Sequence, residues 1–294
     1  MNNQQTIEKV TAKMIERMES GKLNWNRPWK AGMLPHNYQS GHTYRGWNLF
    51  ITMFSEFESP YFLTFNQISK MGGTIKKGSK GLPIMFWKKF SKKTGETNKD
   101  GKDVEKSFLI AKDWTIFNAE QIEGIDFKEI VLNQLGTCEE LETAIYNMPT
   151  PVKIKHSLMS NGAYYTPTYD EISMPDKGQF KATGEYYSTL VHETIHSTGH
   201  KSRLDRFAKN DGEFDGRKGS YSYEELVAEL GAAYLCAMYG VNSEDTEKNS
   251  AAYLQGWLQR FKGDLQMLYK ASTDAQKAVD YIINKAKEEE DTEE

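Results

Sequence analysis

The chain is poor in cysteine. Two among 294 residues, Cys138 and Cys236, cannot build a disulfide framework, and neither stands in a metal-binding spacing. No apolar run approaches the ~18 residues needed to span a bilayer, and residues 1–20 lack the apolar core of a secretory leader. No internal repeat is visible. These absences exclude a disulfide scaffold and a membrane-spanning protein, and they predict a reduced, cytoplasmic protein with no membrane partner. The 38% hydrophobic and 12% aromatic content is that of a folded chain, long enough for one large core or two smaller ones. Histidine is scarce too, six in all, so the placement of two of them carries information.

Those two are His192 and His196, in the stretch His192-Glu193-Thr194-Ile195-His196. Residues four apart share a helix face, so both imidazoles can reach one metal ion. Glu193 leaves the helix about 100° from His192, placed to hold a water and take its proton. Zinc metallopeptidases use these residue types at this spacing for those reasons. The plain alternative is an amphipathic helix with two surface or capping histidines.

A third ligand is available in a second helical pattern, residues 223–235. Its apolar stripe includes Leu226, Leu230 and Ala233, and Glu225 and Glu229 lie four apart beside it. Carboxylates turned toward a core need a positive partner. We read Glu225 as the third ligand and Glu229 as the carboxylate behind a ligand histidine; the reverse order fits the same spacing. Glu224 reads as part of a solvated face. His200 competes as a ligand, but Gly199 reads as the helix stop, and Ser202 stands where the metzincin signature wants a histidine. His200 then contacts substrate or caps the turn.

Charge is divided unevenly. Residues 1–112 hold 19 Lys and Arg against 9 Asp and Glu, a balance of +10, while the remaining residues hold 18 and 32, or −14. Opposite halves suggest two domains with different partners, nucleic acid for the basic one. Aromatics are interleaved with its cations: Trp25, Arg27, Trp29 and Lys30; Tyr44, Arg45 and Trp47; then Lys76, Lys77 and Lys80, and the run Phe86-Trp87-Lys88-Lys89-Phe90. Single-stranded DNA binders need rings for stacking and cations along the backbone. Any one of these rings is as readily a core residue.

Periodicity predicts an α+β chain of two domains. Helices are expected at residues 6–20, 48–57 and 64–71, and strands at 82–90 and 106–117 around a polar tip or loop, 91–102. The first domain is then 1–125, an α+β unit. Residues 126–150 connect it, with a helix at 138–147, to a mostly helical domain, 151–287. That domain has short strands at 152–155, 163–166 and 171–174, then helices at 181–198, 222–239, 250–262 and 274–287. An acidic tail, 288–294, closes the chain.

Two sets of motifs are familiar together. Trp25-x-x-Pro28-Trp29, Asn37-x-x-Ser40-Gly41-x-x-Tyr44-Arg45-Gly46-x-Asn48, Leu63-Thr64-Phe65, Gly72-Gly73-x-x-x-Lys77-Gly78 and Phe117-Asn118-x-x-Gln121-x-x-Gly124 resemble the N-terminal single-stranded-DNA-binding domain of ArdC-type antirestriction proteins, shared with TraC-type primases. His192-Glu193-x-x-His196-x-Thr198-Gly199-His200-x-x-Arg203-Leu204-x-Arg206 and Glu225-Leu226-x-Ala228-Glu229-Leu230-Gly231 are similar to the zincin-like metallopeptidase domain of the same family. The resemblance implies a protein of a mobile element that shields incoming DNA from host restriction during conjugation.

The sequence thus predicts a single-stranded-DNA-binding antirestriction protein. Zn²⁺ is held by His192, His196 and Glu225, Glu193 is the general base, and a host defence protein is the candidate peptide substrate. Residues 161–166 are the expected edge strand for that substrate, and Tyr221, Tyr223 and His200 are candidates to stabilise the oxyanion. The second reading is a DNA-coating protein whose zinc site is structural or vestigial. A metal-dependent nuclease fits less well, because such enzymes gather Asp-rich Mg²⁺ sites.

Overall fold

The computed structural model describes residues 3–19, 34–97, 103–128, 138–160, 162–209, 223–241 and 265–284. Helix α1 (Asn3–Glu19) buries Thr6, Val10, Thr11, Met14 and Ile15, the three-and-four spacing of a single apolar stripe. Then come β1 (His36–Asn37), α2 (Gly46–Met53), β2 (Tyr61–Thr64), α3 (Phe65–Lys70) and β3 (Thr74–Ile75), two long strands β4 (Leu82–Thr97) and β5 (Asp103–Asn118), and β6 (Ile122–Glu123). The main sheet runs β1-β2-β5-β4. β1 and β2 are parallel across α2, and the other pairs are antiparallel. Helix α3 starts on a reciprocal cap between Thr64 and Gln67.

The β4–β5 hairpin outruns the sheet. β2 covers only Ile116, Phe117 and Asn118 of β5, so the rest projects as a two-stranded arm. Asn3 fastens the open edge of β5: its amide donates to Leu109 O (2.8 Å) and its carbonyl accepts from Ala111 N (2.9 Å). That pairing protects an edge otherwise free to recruit another strand. Strands were expected to stop at 90 and resume at 106. They continue to Thr97 and begin at Asp103, because a ladder of backbone hydrogen bonds needs no apolar side chain.

The second unit opens with α4 (Cys138–Tyr146). A three-stranded sheet follows, β7 (Lys153–Ser157), β8 (Tyr164–Thr166) and β9 (Glu171–Pro175), in the order β7-β9-β8, which leaves β8 at an edge. Helices α5 (Thr183–Ser197), α6 (Arg206–Lys209), α7 (Tyr223–Met238) and α8 (Leu265–Ile282) complete it. The expected helix at 250–262 and the acidic tail lie outside the described residues. The last helix starts at Leu265, not at 274, and its described part ends at Ile282.

The two units share a core. One apolar cluster runs from Val10 and Phe50 through Leu190 and Tyr234 to Ala275 and Val279. Helix α8 makes this possible: Leu268, Ala271, Ala275, Ala278 and Val279 are fully buried, and the alanines let it approach α1, α2 and α7 closely. Polar links flank the seam, with Arg45 on Asp280 (2.5 Å), Gly46 N on Gln276 Oε1 (2.9 Å) and the Tyr234 hydroxyl on Gly46 O (3.3 Å). Gly46 has φ +48°, a backbone state that disfavours any side chain.

Candidate metal centre

Helix α5 carries His192, Glu193 and His196, and α7 lies against it with Glu224, Glu225 and Glu229. Gly231 sets the approach of the two helices. A Cβ there would stand 2.7 Å from Ile195 Cδ1 and 3.0 Å from its Cγ1, so only glycine lets α7 seat on the fully buried Ile195. Gly199 has a similar packing role. It follows the end of α5 at Ser197, capped by Thr198, and a side chain there would strike the ring of Phe207. Close packing, rather than a left-handed helix stop, explains this glycine.

His192, His196 and Glu225 converge. The two Nε2 atoms are 3.1 Å apart, and Glu225 carboxylate oxygens lie 3.5 Å from His192 Nε2 and 3.4 Å from His196 Nε2. Four ligands at the ~2.0–2.1 Å usual for zinc in a tetrahedron are separated by about 3.4 Å. The two imidazole nitrogens, with one Glu225 oxygen facing each of them, therefore already stand near the edge lengths of such a tetrahedron. An imidazole–imidazole–carboxylate set suits a divalent cation of the zinc type.

Each histidine has a carboxylate behind it. Glu229 lies 3.9 Å from His192 Nδ1, and Glu224 lies 3.6 Å from His196 Nδ1. Glu224 corrects the expectation of a solvated residue, since only 5% of it is exposed. Its charge is met by Arg206, itself buried, whose guanidinium grips both carboxylate oxygens and also donates to Thr198 Oγ1 (2.9 Å) and Ile195 O (3.0 Å). Arg206 thus ties the C-terminal turn of α5 to α7. Sequence reasoning missed this pair. The only signal was the presence of Arg206 in the second motif, with no role attached.

Electrostatics point the same way. Burial alone would lower the pKa of His192, but the carboxylates of Glu225, Glu229 and Glu193 together outweigh it and raise it. Burial is likewise overcome at His196, where Glu224 and Glu225 push the pKa up to about 10. Burial would raise Glu225, yet the two imidazoles hold it far below the usual carboxylate range. Such a cluster is balanced when positive charge sits among its carboxylates, as protons or as a metal ion. Glu193 is buried on α5.

Other expected site residues fall elsewhere. His200 is not among the converging donors. Its Nδ1 is 2.8 Å from Ser202 Oγ and accepts from Ser202 N (3.2 Å), which makes it a turn residue. Tyr223 turns its hydroxyl to Asp274 (2.8 Å) rather than to the histidines, and Tyr221 lies outside the described residues. In β8, Tyr164 is exposed, whereas Tyr165 is buried and donates to Asp170 (2.8 Å). Asp170 also receives both terminal nitrogens of Arg203 (2.8 and 3.0 Å), whose side chain has no exposed surface and also donates to Thr150 O and Ser197 O. That cluster fixes the edge strand to the end of the histidine helix.

The basic half is only partly as expected. Tyr44 and Trp47 are buried, 1% and 4% exposed, and Trp47 packs on Phe50 and Tyr269. Tyr44 packs edge to face on Phe62 and α8 closes over Trp47, so neither ring is within reach of a base. Arg45 is spent on Asp280. Lys76, Lys77 and Lys80 are exposed around the turn before β4, and Lys76 donates to Glu120 O (2.8 Å). Trp25, Arg27, Trp29 and Lys30 lie outside the described residues.

Comparison with known proteins extends this picture. A family model for the N-terminal domain of anti-restriction factor ArdC matches residues 4–117, and a zincin-like metallopeptidase model matches residues 139–274. Escherichia coli DNA primase TraC is 31% identical over 94% of this chain, which spans only 27% of the primase's length. The protein y4eC of Sinorhizobium fredii is 28% identical over 94% of this chain and 90% of its own. The metal-free crystal structure of the antirestriction ArdC protein of plasmid R388 is 34% identical, covers 94% of this chain and 96% of that one, and superposes with a TM-score of 0.68. The Mn(II)-bound structure of that protein gives 33%, 95%, 97% and 0.69. With this identity over nearly the whole of both chains, and with both domain models matched in order, the chain belongs to the ArdC antirestriction family.

Proposed function

We propose that the chain protects the DNA of a mobile element from host restriction by binding single-stranded DNA with residues 1–125 and hydrolysing a peptide bond at the centre between α5 and α7. The single observation that carries the hydrolytic reading is the convergence of two imidazole nitrogens 3.1 Å apart on the Glu225 carboxylate, whose two oxygens lie 3.5 and 3.4 Å from them, backed by two further carboxylates. His192, His196 and Glu225 would hold the cation, with Glu229 and Glu224 orienting the two rings. Zinc is the ion this donor set favours, and the manganese bound by the plasmid R388 protein is a divalent relative. When bound, such an ion supplies a water acidic enough to ionise near neutral pH.

The remaining chemistry belongs to the chain. Glu193 accepts the proton of the attacking water and returns it to the leaving amine. Edge strand β8 offers free backbone groups to an extended substrate, and the Tyr165–Asp170–Arg203 cluster holds that strand in register with α5. A host defence protein is the peptide substrate that fits an antirestriction role.

Wild type and Glu193→Ala, purified without chelator, test the reading. Both should carry about one metal ion per chain, and both should bind single-stranded DNA. Only wild type should cleave its target and restore full plasmid transfer into a restricting recipient. Equal protection by the two proteins would reject the peptidase and leave the DNA-coating reading in its place.

A further inference from the structure

The β4–β5 arm has two unlike faces. One faces α1, where Ala111 is buried and Asp113 binds Lys9 (2.6 Å). The other carries the alternate register pairs: Phe86 opposite Lys112, Lys88 opposite Ile110, Phe90 opposite Phe108, and at its root Trp114 opposite Ile84. Further out the register sets Lys92 opposite Lys106. No acidic residue occupies any of these positions.

The rings on this face are presented rather than packed away. Phe90 and Phe108 stack with centroids 6.0 Å apart and planes 16° apart, and Phe108 is 46% exposed. Lys112 Nζ lies 6.0 Å from the Phe90 ring centre. Phe86 and Trp114 meet edge to face at the root, partly buried against the core. Lys88 and Lys112 are exposed, and no carboxylate pairs with either among the described residues.

We propose that this outer face of the arm is the platform on which single-stranded DNA lies, with bases on Phe108 and its stacked partner Phe90, and phosphates on Lys88 and Lys112. The inference rests on the single-stranded-DNA reading and gives it a place other than the buried Tyr44 and Trp47. Rungs of one face recur every two residues, about 6.8 Å, roughly twice the ~3.4 Å rise per nucleotide of a stacked strand. Bases must splay to use successive rungs, which a single strand does and a duplex does not. Sequence preference should be weak, since every base has a face to stack.

The test uses the full chain, a fluorescein-labelled oligothymidine and anisotropy titrations across a salt series. Phe108→Ala should weaken binding about 5- to 150-fold, the range for losing one stacked base. Phe108→Leu should do the same, and Phe108→Trp should retain wild-type affinity, a pattern that a purely structural role would not give. Lys112→Ala should lower the slope of log affinity against log salt by about 0.7. Metal content and melting temperature, unchanged in every variant, show that the fold is intact. If wild type binds the oligonucleotide and all four variants bind it equally well with the same slope, the platform is wrong while DNA binding stands. If wild type fails to bind, the single-stranded-DNA reading itself falls. Duplex binding as tight as single-strand binding would also overturn a stacking platform.

Discussion

Replacing Arg206 by methionine should separate two roles of one buried contact. The guanidinium is 4% exposed and meets a carboxylate, Glu224, that is 5% exposed. Among the described residues, removing the cation leaves Glu224 facing His196 Nδ1 at 3.6 Å, while Thr198 Oγ1 keeps its bond to Ile195 O (2.6 Å). Breaking a buried pair from one side costs about 3–5 kcal/mol, a large share of the ~5–15 kcal/mol that holds a protein folded. At the ~2–4 °C per kcal/mol expected for a chain of this size, the melting temperature should fall by about 6–20 °C. Melting should be followed in excess chelator, because a bound ion adds its own stabilisation. The double variant Arg206→Met with Glu224→Leu removes both charges and should recover most of that loss. Its metal affinity should stay 10–100-fold below wild type, because His196 has lost the carboxylate that orients it. A double variant that binds metal like wild type would show that Glu224 serves only to neutralise Arg206, and the positioning argument would fail.

Three further outcomes are expected. Glu225→Gln should lose more metal affinity than Glu229→Gln in competition with a chromogenic chelator, and the reverse order would exchange ligand and supporting carboxylate. Gly231→Ala gains about 1 kcal/mol of helix propensity but pushes a methyl onto Ile195; at about 1–3 kcal/mol for overpacking the clash should win, and metal affinity should fall as α7 moves off α5, with partial recovery when Ile195→Val removes the Cδ1 that stands 2.7 Å away. Asp170 is subject to burial, which would raise its pKa, but Arg203 and Tyr165 hold it below the usual carboxylate value; its stabilisation is complete above the unfolded pKa of ~3.9 and is lost as pH falls through the lower folded value, so chelated wild type should lose stability in this acid range and Arg203→Met should show a flatter acid limb.

The parts legible in the sequence were those fixed locally. Two histidines four apart on a helix need no tertiary knowledge, and Glu225 and Glu229 could be marked together from their place beside an apolar stripe, though spacing could not order them. The carboxylate behind His196 could not, because Glu224 faces inward only where Arg206 arrives from another segment. The start of α8 was hidden for a chemical reason. Ser and Thr favour caps over helix interiors, yet in the structure the Ser272 and Thr273 hydroxyls donate back to Tyr269 O (2.8 and 3.0 Å), a bond that lets Ser and Thr sit inside a helix. Among the aromatic and basic clusters, Tyr44 and Trp47 are buried while the run that ends at Phe90 lies on the projecting arm. Tyr44 and Trp47 share an aromatic–basic pattern with Phe90, and only tertiary packing, on Phe62 for Tyr44 and on Tyr269 of α8 for Trp47, covers the first two.

That return also orders events in time. The apolar faces of α1 and α2 are complete early in synthesis, but the helix that covers them ends at Ile282. At ~5–20 residues per second, translation from the end of the first unit to the end of α8 takes on the order of 10–30 s. Throughout that interval the first unit waits without its partner helix, with Trp47 still uncovered. The N-terminal unit therefore cannot mature on the ribosome ahead of the C-terminal one. A chain interrupted between the two would yield an exposed apolar surface and a substrate for chaperones or proteases, rather than a working half-protein.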